Sequence, residues 1–216
     1  MTTPDSYGTI GETWADSLLF GRNFSAKLAN GANAEAIGDN VFVNAVDNNT
    51  QTVAAFNAGV GTTVTYDLHG TASIDKFYMI AKGNYVIKTY ELYVSDKLDT
   101  LYNGENYLLT GGNNTSSGAI HNCFTFTGEN KPEGRYIGVK ILELGHPANY
   151  PDYASICETA IFGIKTIKTT NEELISAKTK ILNADYTTDE KTYFDFNEDS
   201  EMDVCDLVLM NKALGN

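Results

Sequence analysis

Near residue 166 the spacing of apolar residues changes period, and no single architecture satisfies both parts of the chain. Upstream, apolar and polar side chains alternate through short runs: "TVTYDL" (63–68), "IDKFYMIA" (74–81), "IKTYELYVS" (87–95), "CFTFTG" (123–128), "RYIGVKIL" (135–142) and "SICETAIFG" (155–163). Tyr, Val, Ile, Phe and Thr dominate these runs, and "KGN", "GGNNTSSG" and "KPEG" separate them. A period of two places successive side chains on opposite faces of a strand, and several such runs between turn signals predict a β-sandwich. The Ala-rich stretch "SLLFGRNFSAKLANGANAEAIG" (17–38) has no clear period and is open between loop and short helix.

Downstream the period becomes helical. "TNEELISAKTKILN" (170–183) sets Leu174, Ile175, Ala177, Ile181 and Leu182 along one stripe, with Thr170 and Glu173 in capping-box spacing and Asn183 as the C-terminal cap. "DVCDLVLMNKALG" (203–215) repeats the pattern with Val204, Leu207, Val208, Met210 and Leu214 and closes at Gly215. The segment between them, "ADYTTDEKTYF" (184–194), offers one turn at best. The division is therefore residues 1–16 as linker or leader, 17–165 as sandwich and 166–216 as a small helical domain.

Charge narrows the partners. The chain carries a formal −13, and residues 166–216 alone hold eleven acids against five lysines. Nucleic-acid phosphates and anionic membranes would repel such a surface, so neither is a partner. Cys123, Cys157 and Cys205 are too few and too spread for a disulfide framework, and no C-x-x-C pair points to zinc. No apolar run approaches the ~18 residues of a membrane span, and no basic-plus-apolar leader opens the chain, so secretion implies a leader removed or lying outside this sequence.

The chemistry concentrates in the acidic loop. Counting Asp195 as position 1, oxygen-bearing side chains fall at positions 1, 3, 5, 9 and 12: Asp195, Asn197, Asp199, Asp203 and Asp206. Glu201 stands at position 7, where an EF-hand-type loop supplies a backbone carbonyl. Twelve residues so spaced wrap one Ca²⁺, which takes six to eight hard oxygen ligands at flexible angles. Position 6 is Ser200 rather than Gly, and position 12 is Asp206 rather than the longer Glu.

A calcium loop followed but not preceded by a helix resembles a type I dockerin, and "DFNEDSEMDVCDLVLMNKAL" (195–214) is similar to that family's D-x-N-x-D-x-x-x-D-x-x-D-L repeat. The family carries two repeats. Superposing the first on "FGIKTIKTTNEELISAKTKIL" aligns Glu173-Leu174 with Asp206-Leu207 but puts Thr170, Thr166 and Ile164 at calcium positions, so the first repeat is degenerate. The resemblance implies a secreted, cell-surface, cellulosome-type component that docks on the cohesin of a scaffold protein. It assigns that contact to Val204, Cys205, Met210, Asn211 and Lys212; packing of Val204 and Cys205 on the first helix is the alternative.

The larger region resembles a discoidin, or coagulation factor 5/8 type C, domain, a galactose-binding-like jelly roll also used by carbohydrate-binding modules. "AVDNNTQT" (45–52), "VTYDLHG" (64–70), "YELYVSD" (90–96), "RYIGVKI" (135–141) and "ICETAIFG" (156–163) match its segments in order. The resemblance implies a structural Ca²⁺ held by Asp47, Asn49 through its carbonyl, Thr52 and Glu158. Glu158 shares strand parity with Ile156, Ala160 and Phe162, so it points inward and needs a cation, or else sits on the rim in water. Sugar contact is expected from "GHPANYPDY" (145–153): Tyr150 and Tyr153 as stacking faces, His146, Asn149 and Asp152 as hydroxyl partners, with packing of the tyrosines on the sandwich edge as the alternative. The family's tryptophan after the first motif is replaced by Ala54.

The three histidines have no metal or nucleophile spacing, and neither G-x-S-x-G nor H-E-x-x-H occurs, so no catalytic site is expected. The sequence reads as mainly β: a jelly-roll sandwich that binds carbohydrate, followed by a small all-α calcium-dependent docking domain. The alternative is a discoidin-like module that recognises protein or acts structurally within a larger glycan-degrading protein.

Overall fold

The computed structural model describes residues 17–20, 22, 24–81, 85–112, 120–129, 131–145, 152–165, 170–195 and 201–214. The chain divides into two compact units, one running to Leu68 and from Ser73 to Ile164, the other comprising His69–Ala72 and the chain from Lys165 onward. The described residues are mainly β.

Among the described residues the strands form one curled sheet of nine, nearly all of it in the first unit: β1 (Phe24–Lys27), β2 (Ala54–Asn57), β3 (Thr63–Ala81), β4 (Val86–Ser95), β5 (Tyr107–Gly112), β6 (Ile120–Thr125), β7 (Glu133–Gly145), β8 (Tyr153–Ile156) and β9 (Glu158–Lys165). The strand order is β1-β3-β7-β4-β8-β2, with β5 on β4 and both β6 and β9 on β3. The β1–β3, β2–β8, β3–β6, β4–β5 and β4–β7 pairs are antiparallel, and β4 meets β8 in parallel at Val86 and Ser155. In β3 the alternation is plain: Val64, Tyr66 and Leu68 are buried while Thr63, Thr65 and Asp67 face outward.

Aromatic rings fill the core. Phe24 lies 4.7 Å from Phe42, 5.8 Å from Phe56 and 5.4 Å from Tyr66. A second cluster joins Tyr78, Ile80, Cys157, Ala160 and Phe162. Each such ring removes about 150–250 Å² from water and dominates the burial term.

Two sequence expectations change. "TVTYDL" and "IDKFYMIA" are one 19-residue strand, because the backbone at His69 turns left-handed (φ 56°) and β pairing continues beyond it. Conversely, "SICETAIFG" breaks at Cys157 into β8 and β9. The open stretch 17–38 holds β1, a turn at Ser17–Phe20 and isolated bridges such as Lys27–Asn33, with no helix among its described residues.

The second unit holds α1 (Asn171–Asn183), α2 (Thr188–Phe194) and α3 (Val204–Ala213). Ala177, Phe194, Met202 and Met210 form its buried centre, with Leu174, Ile181, Tyr186 and Leu207 packed around it. Each helix opens with a capping box. In α1, Glu173 N–H donates to Thr170 Oγ1 (3.1 Å) and Thr170 N–H to Glu173 Oε2 (2.8 Å). The C-terminal cap of α1 is Ala184 in the left-handed region (φ 48°), not Asn183, which stays helical. The segment before the acidic loop is a true helix of seven residues, correcting the one-turn expectation. Its signal was legible: Thr187 and Glu190 repeat the Thr170–Glu173 spacing, with Glu190 N–H donating to Thr187 Oγ1 at 3.2 Å.

Candidate functional site

Residues far apart in sequence converge where the turn after Val46 meets the start of β9. Glu158, the first residue of β9, is only 3 % exposed, so it is inward rather than on the rim. Its Oε2 accepts from Asn49 N–H (3.1 Å), and the same N–H reaches Asp47 Oδ1 at 2.9 Å. Thr52 Oγ1 lies 2.8 and 3.0 Å from the Asp47 carboxylate oxygens, 2.6 Å from the Asn49 carbonyl and 3.4 Å from the Asn44 carbonyl.

A hydroxyl has one proton to give. Four acceptor oxygens share it here, beside a second, buried carboxylate. Burial, then the charge of Asp47, pushes the Glu158 carboxyl up to about 8, against the pull of N–H groups from Asn49, Asn48 and Thr159. Asn48, at φ 65°, adds a buried side-chain oxygen without a hydrogen-bond partner. An excess of hard oxygen acceptors with a deficit of protons fits a Ca²⁺ ion. The Asn49 side chain is not among the converging groups, since its Oδ1 accepts from Gln51 N–H at 3.1 Å. The sequence reading omitted Asn44 and Asn48; only the "DNN" run, favourable to left-handed turns, pointed to Asn48.

The acidic loop joins α2 to α3. Of its positions, Asn197 and Asp199 lie outside the described residues. Asp195 follows α2 directly and Asp203 is the N-cap of α3. Asp203 Oδ1 accepts from Cys205 N–H (2.7 Å), while Asp203 N–H donates to Asp206 Oδ2 (2.8 Å). Asp206 is fully buried (0 % exposed), a carboxylate for which a cation is the ordinary compensation. The Glu201 carboxylate is turned outward to Lys191 Nζ at 2.8 Å, which suits a position that offers its backbone carbonyl. Phe194 and Met202 anchor both flanks of the loop in the same core cluster.

Of the residues expected to meet a cohesin, Val204 (63 % exposed), Cys205, Asn211 and Lys212 are at the surface. Met210 is the correction: it is fully buried in the helical core and presents nothing to a partner. Val208, one turn beyond Val204, is half exposed instead. A period of 3.6 finds a stripe but does not say which of its members faces inward.

In the expected sugar loop, His146, Asn149 and Tyr150 lie outside the described residues. Asp152 is exposed, and its carbonyl accepts from Ala58 N–H at 2.9 Å. Tyr153 opens β8 half-buried, its ring edge-on to Tyr85 at 5.4 Å. Beside Ala58 the turns Leu28–Asn30 and Ala58–Thr62 enclose a shallow cleft of about 280 Å³.

No protein-family model matches the chain, and no curated protein matches it. Solved structures do. The CBM32 of AlyQ in complex with 4,5-unsaturated mannuronic acid is 19 % identical over 60 % of this chain and 91 % of its own, with a TM-score of 0.45. A Streptococcus pneumoniae fucose binding module is 16 % identical over 68 % and 94 %, TM-score 0.45. A fucolectin from striped bass serum is 18 % identical over 72 % of this chain and 48 % of its own, TM-score 0.49.

Proposed function

We propose that this chain is a noncatalytic, secreted component of a glycan-degrading assembly. Its β unit is a galactose-binding-like module that binds carbohydrate and carries a structural Ca²⁺. Its helical unit is a dockerin-like domain that binds a cohesin when calcium fills the acidic loop. The observation that carries the reading is the cluster at Asp47, Asn49, Thr52 and Glu158, where four acceptors share one hydroxyl proton beside a buried carboxylate. The sequence resemblance expects a cation at those residues. Calcium there supplies the charge that two neighbouring carboxylates lack, fixing the turn after Val46 to β9.

In the helical unit, Asp195, Asp203 and Asp206 with the carbonyl of Glu201 are the proposed ligands from among the described residues, joined in sequence by Asn197 and Asp199. Exposed Val204, Cys205 and Lys212 form the proposed cohesin contact, an apolar patch with a charged edge. The proposed sugar contacts include Asp152 and Tyr153 at the end of the loop after β7. The test probes the whole chain, in calcium and in EDTA, against a broad glycan array and a panel of cohesins. Calcium-dependent capture by a cohesin together with a glycan signal is the expected result. A glycan signal without a cohesin overturns the docking half, and a cohesin without any glycan signal leaves the protein-recognition alternative.

A further inference from the structure

The outer face of the sheet carries a row of tyrosines that neither candidate cation site uses. An antiparallel sheet with one face on the core ordinarily turns polar side chains to water on the other. Tyr93 of β4 points outward between inward-facing Leu92 and Val94, yet it is only 5 % exposed, because Tyr102 and Tyr107 flank it at 5.4 and 6.0 Å, both near-perpendicular to its ring. Tyr102 comes from the turn after β4 and lies across β7 at Gly138. Its hydroxyl donates to the Val64 carbonyl of β3 (2.9 Å) and stands 2.8 Å from the Thr65 hydroxyl. That path exists only because residue 138 has no side chain: a Cβ there would sit 2.7 Å from the Tyr102 ring.

The other two rings are also held at their tips. Tyr93 Oη donates to Glu91 Oε2 (2.7 Å), and Tyr107 Oη lies 3.1 Å from the Thr110 hydroxyl. Three rings fixed in this way need no reordering to accept a ligand. Tyr107 leaves 43 % of its surface in water. Two ion pairs lie along these strands, while Glu105 in the turn between Tyr102 and Tyr107 is exposed. Lys140 Nζ stands 3.9 Å from Glu91, and Arg135 grips Asp67 through two 2.8 Å hydrogen bonds. A chain of net −13 disfavours an anionic ligand, and an aromatic row beside paired charges suits an uncharged, hydroxyl-rich one.

We propose that this face is a platform for an extended neutral glycan, with Tyr102 and Tyr107 stacking on sugar rings and Glu91, Lys140 and Thr110 meeting their hydroxyls. From Thr65 on β3 to Tyr107 on β5 the row spans three strand spacings, about 14 Å. That is longer than one sugar ring, so the ligand is an oligosaccharide and not a terminal monosaccharide. The proposal rests on the carbohydrate-binding reading above and adds a second contact surface to the loop.

The test is affinity electrophoresis of the whole chain through gels of galactomannan, xylan or mixed-linkage β-glucan, followed by titration with oligosaccharides of whichever polymer retards it. Tyr107→Ala, at an exposed position, and Lys140→Ala, at a half-exposed one, are each expected to weaken binding about three- to tenfold with the melting temperature unchanged. The monosaccharide is expected to compete poorly. Retardation of the wild type that survives both substitutions but is lost with Asp152→Ala overturns the platform and leaves the carbohydrate reading standing. Equal competition by monosaccharide and oligosaccharide does the same. Wild type that runs freely in every gel, with no glycan captured on an array, overturns both.

Discussion

The two candidate cation sites are built by opposite routes. In the helical unit the proposed ligands fall within twelve consecutive residues, Asp195 to Asp206. In the β unit Asn49 and Glu158 are 109 positions apart and meet only when β9 lies beside the turn after Val46. A local site closes a short loop at little entropic cost, whereas a distant one exists only once most of the fold is in place. On the proposed reading an ion would have different work in each. In the helical unit it would gather a segment whose core is small, and in the β unit it would neutralise a pocket that the aromatic core has already closed.

Calcium removal tests this contrast most strongly. With free ion at about a thousand times Kd, each occupied site adds about 4 kcal/mol to its own unit. Calorimetry in calcium and in EDTA should shift both unfolding transitions, and Glu158→Gln should abolish the shift of the β unit alone. If Glu158→Gln leaves both shifts intact, the distant site holds no ion.

The next largest effect is on pH dependence in chelator. The folded Glu158 carboxyl sits at about 8, above roughly 4.3 for an unfolded glutamate. The folded state therefore holds the extra proton between these values. Stability from this group is present below pH 4.3 and is lost as pH rises through 8, on the order of 3 kcal/mol after allowance for residual solvation. Melting curves of the β unit in EDTA should fall across that window, and the fall should vanish in calcium or in Glu158→Gln. A flat profile in EDTA would mean that the pocket keeps its charge by other means.

Asp203→Ala separates the units at smaller scale. Measured in EDTA, where the loss of a proposed calcium ligand plays no part, it removes the N-cap of α3 and should cost about 1 kcal/mol, read from helical circular dichroism, while the β transition stays where it was. Val204→Asp is the smallest in stability, within about 0.5 kcal/mol at an exposed position, yet it should sharply reduce cohesin binding. Undiminished binding would move the interface to the exposed Ile175 and Leu182 of α1.

What could be read in advance follows the same division between local and distant. Thr170 with Glu173, and the alternation around Tyr66, are short-range signals, and the structure contains both features. The helix over Thr188–Phe194 was equally local but went unread, because its apolar residues are too few for a stripe and only the capping pair marks it. The continuity of β3 through His69 was not legible, since a left-handed residue resembles a turn until pairing partners on either side are known. Burial of Met210 rather than Val208 depends on where Phe194 and Met202 stand, which no periodicity contains. The same holds for the tyrosine row, whose members come from β4, the turn after it and β5 and are united by a missing side chain at Gly138.

The course of β9 bears on how this molecule would carry mechanical load. The strand ends at Lys165, where the chain passes into the helical unit, and begins at Glu158, whose carboxylate is held by the backbone of Asn49. Tension carried along β9 from Lys165 reaches, at the first residue of the strand, a fastening made to a part of the chain 109 positions away. If the protein is tethered by its tail and holds a substrate with its sheet, the buried glutamate is a rivet in the line of force.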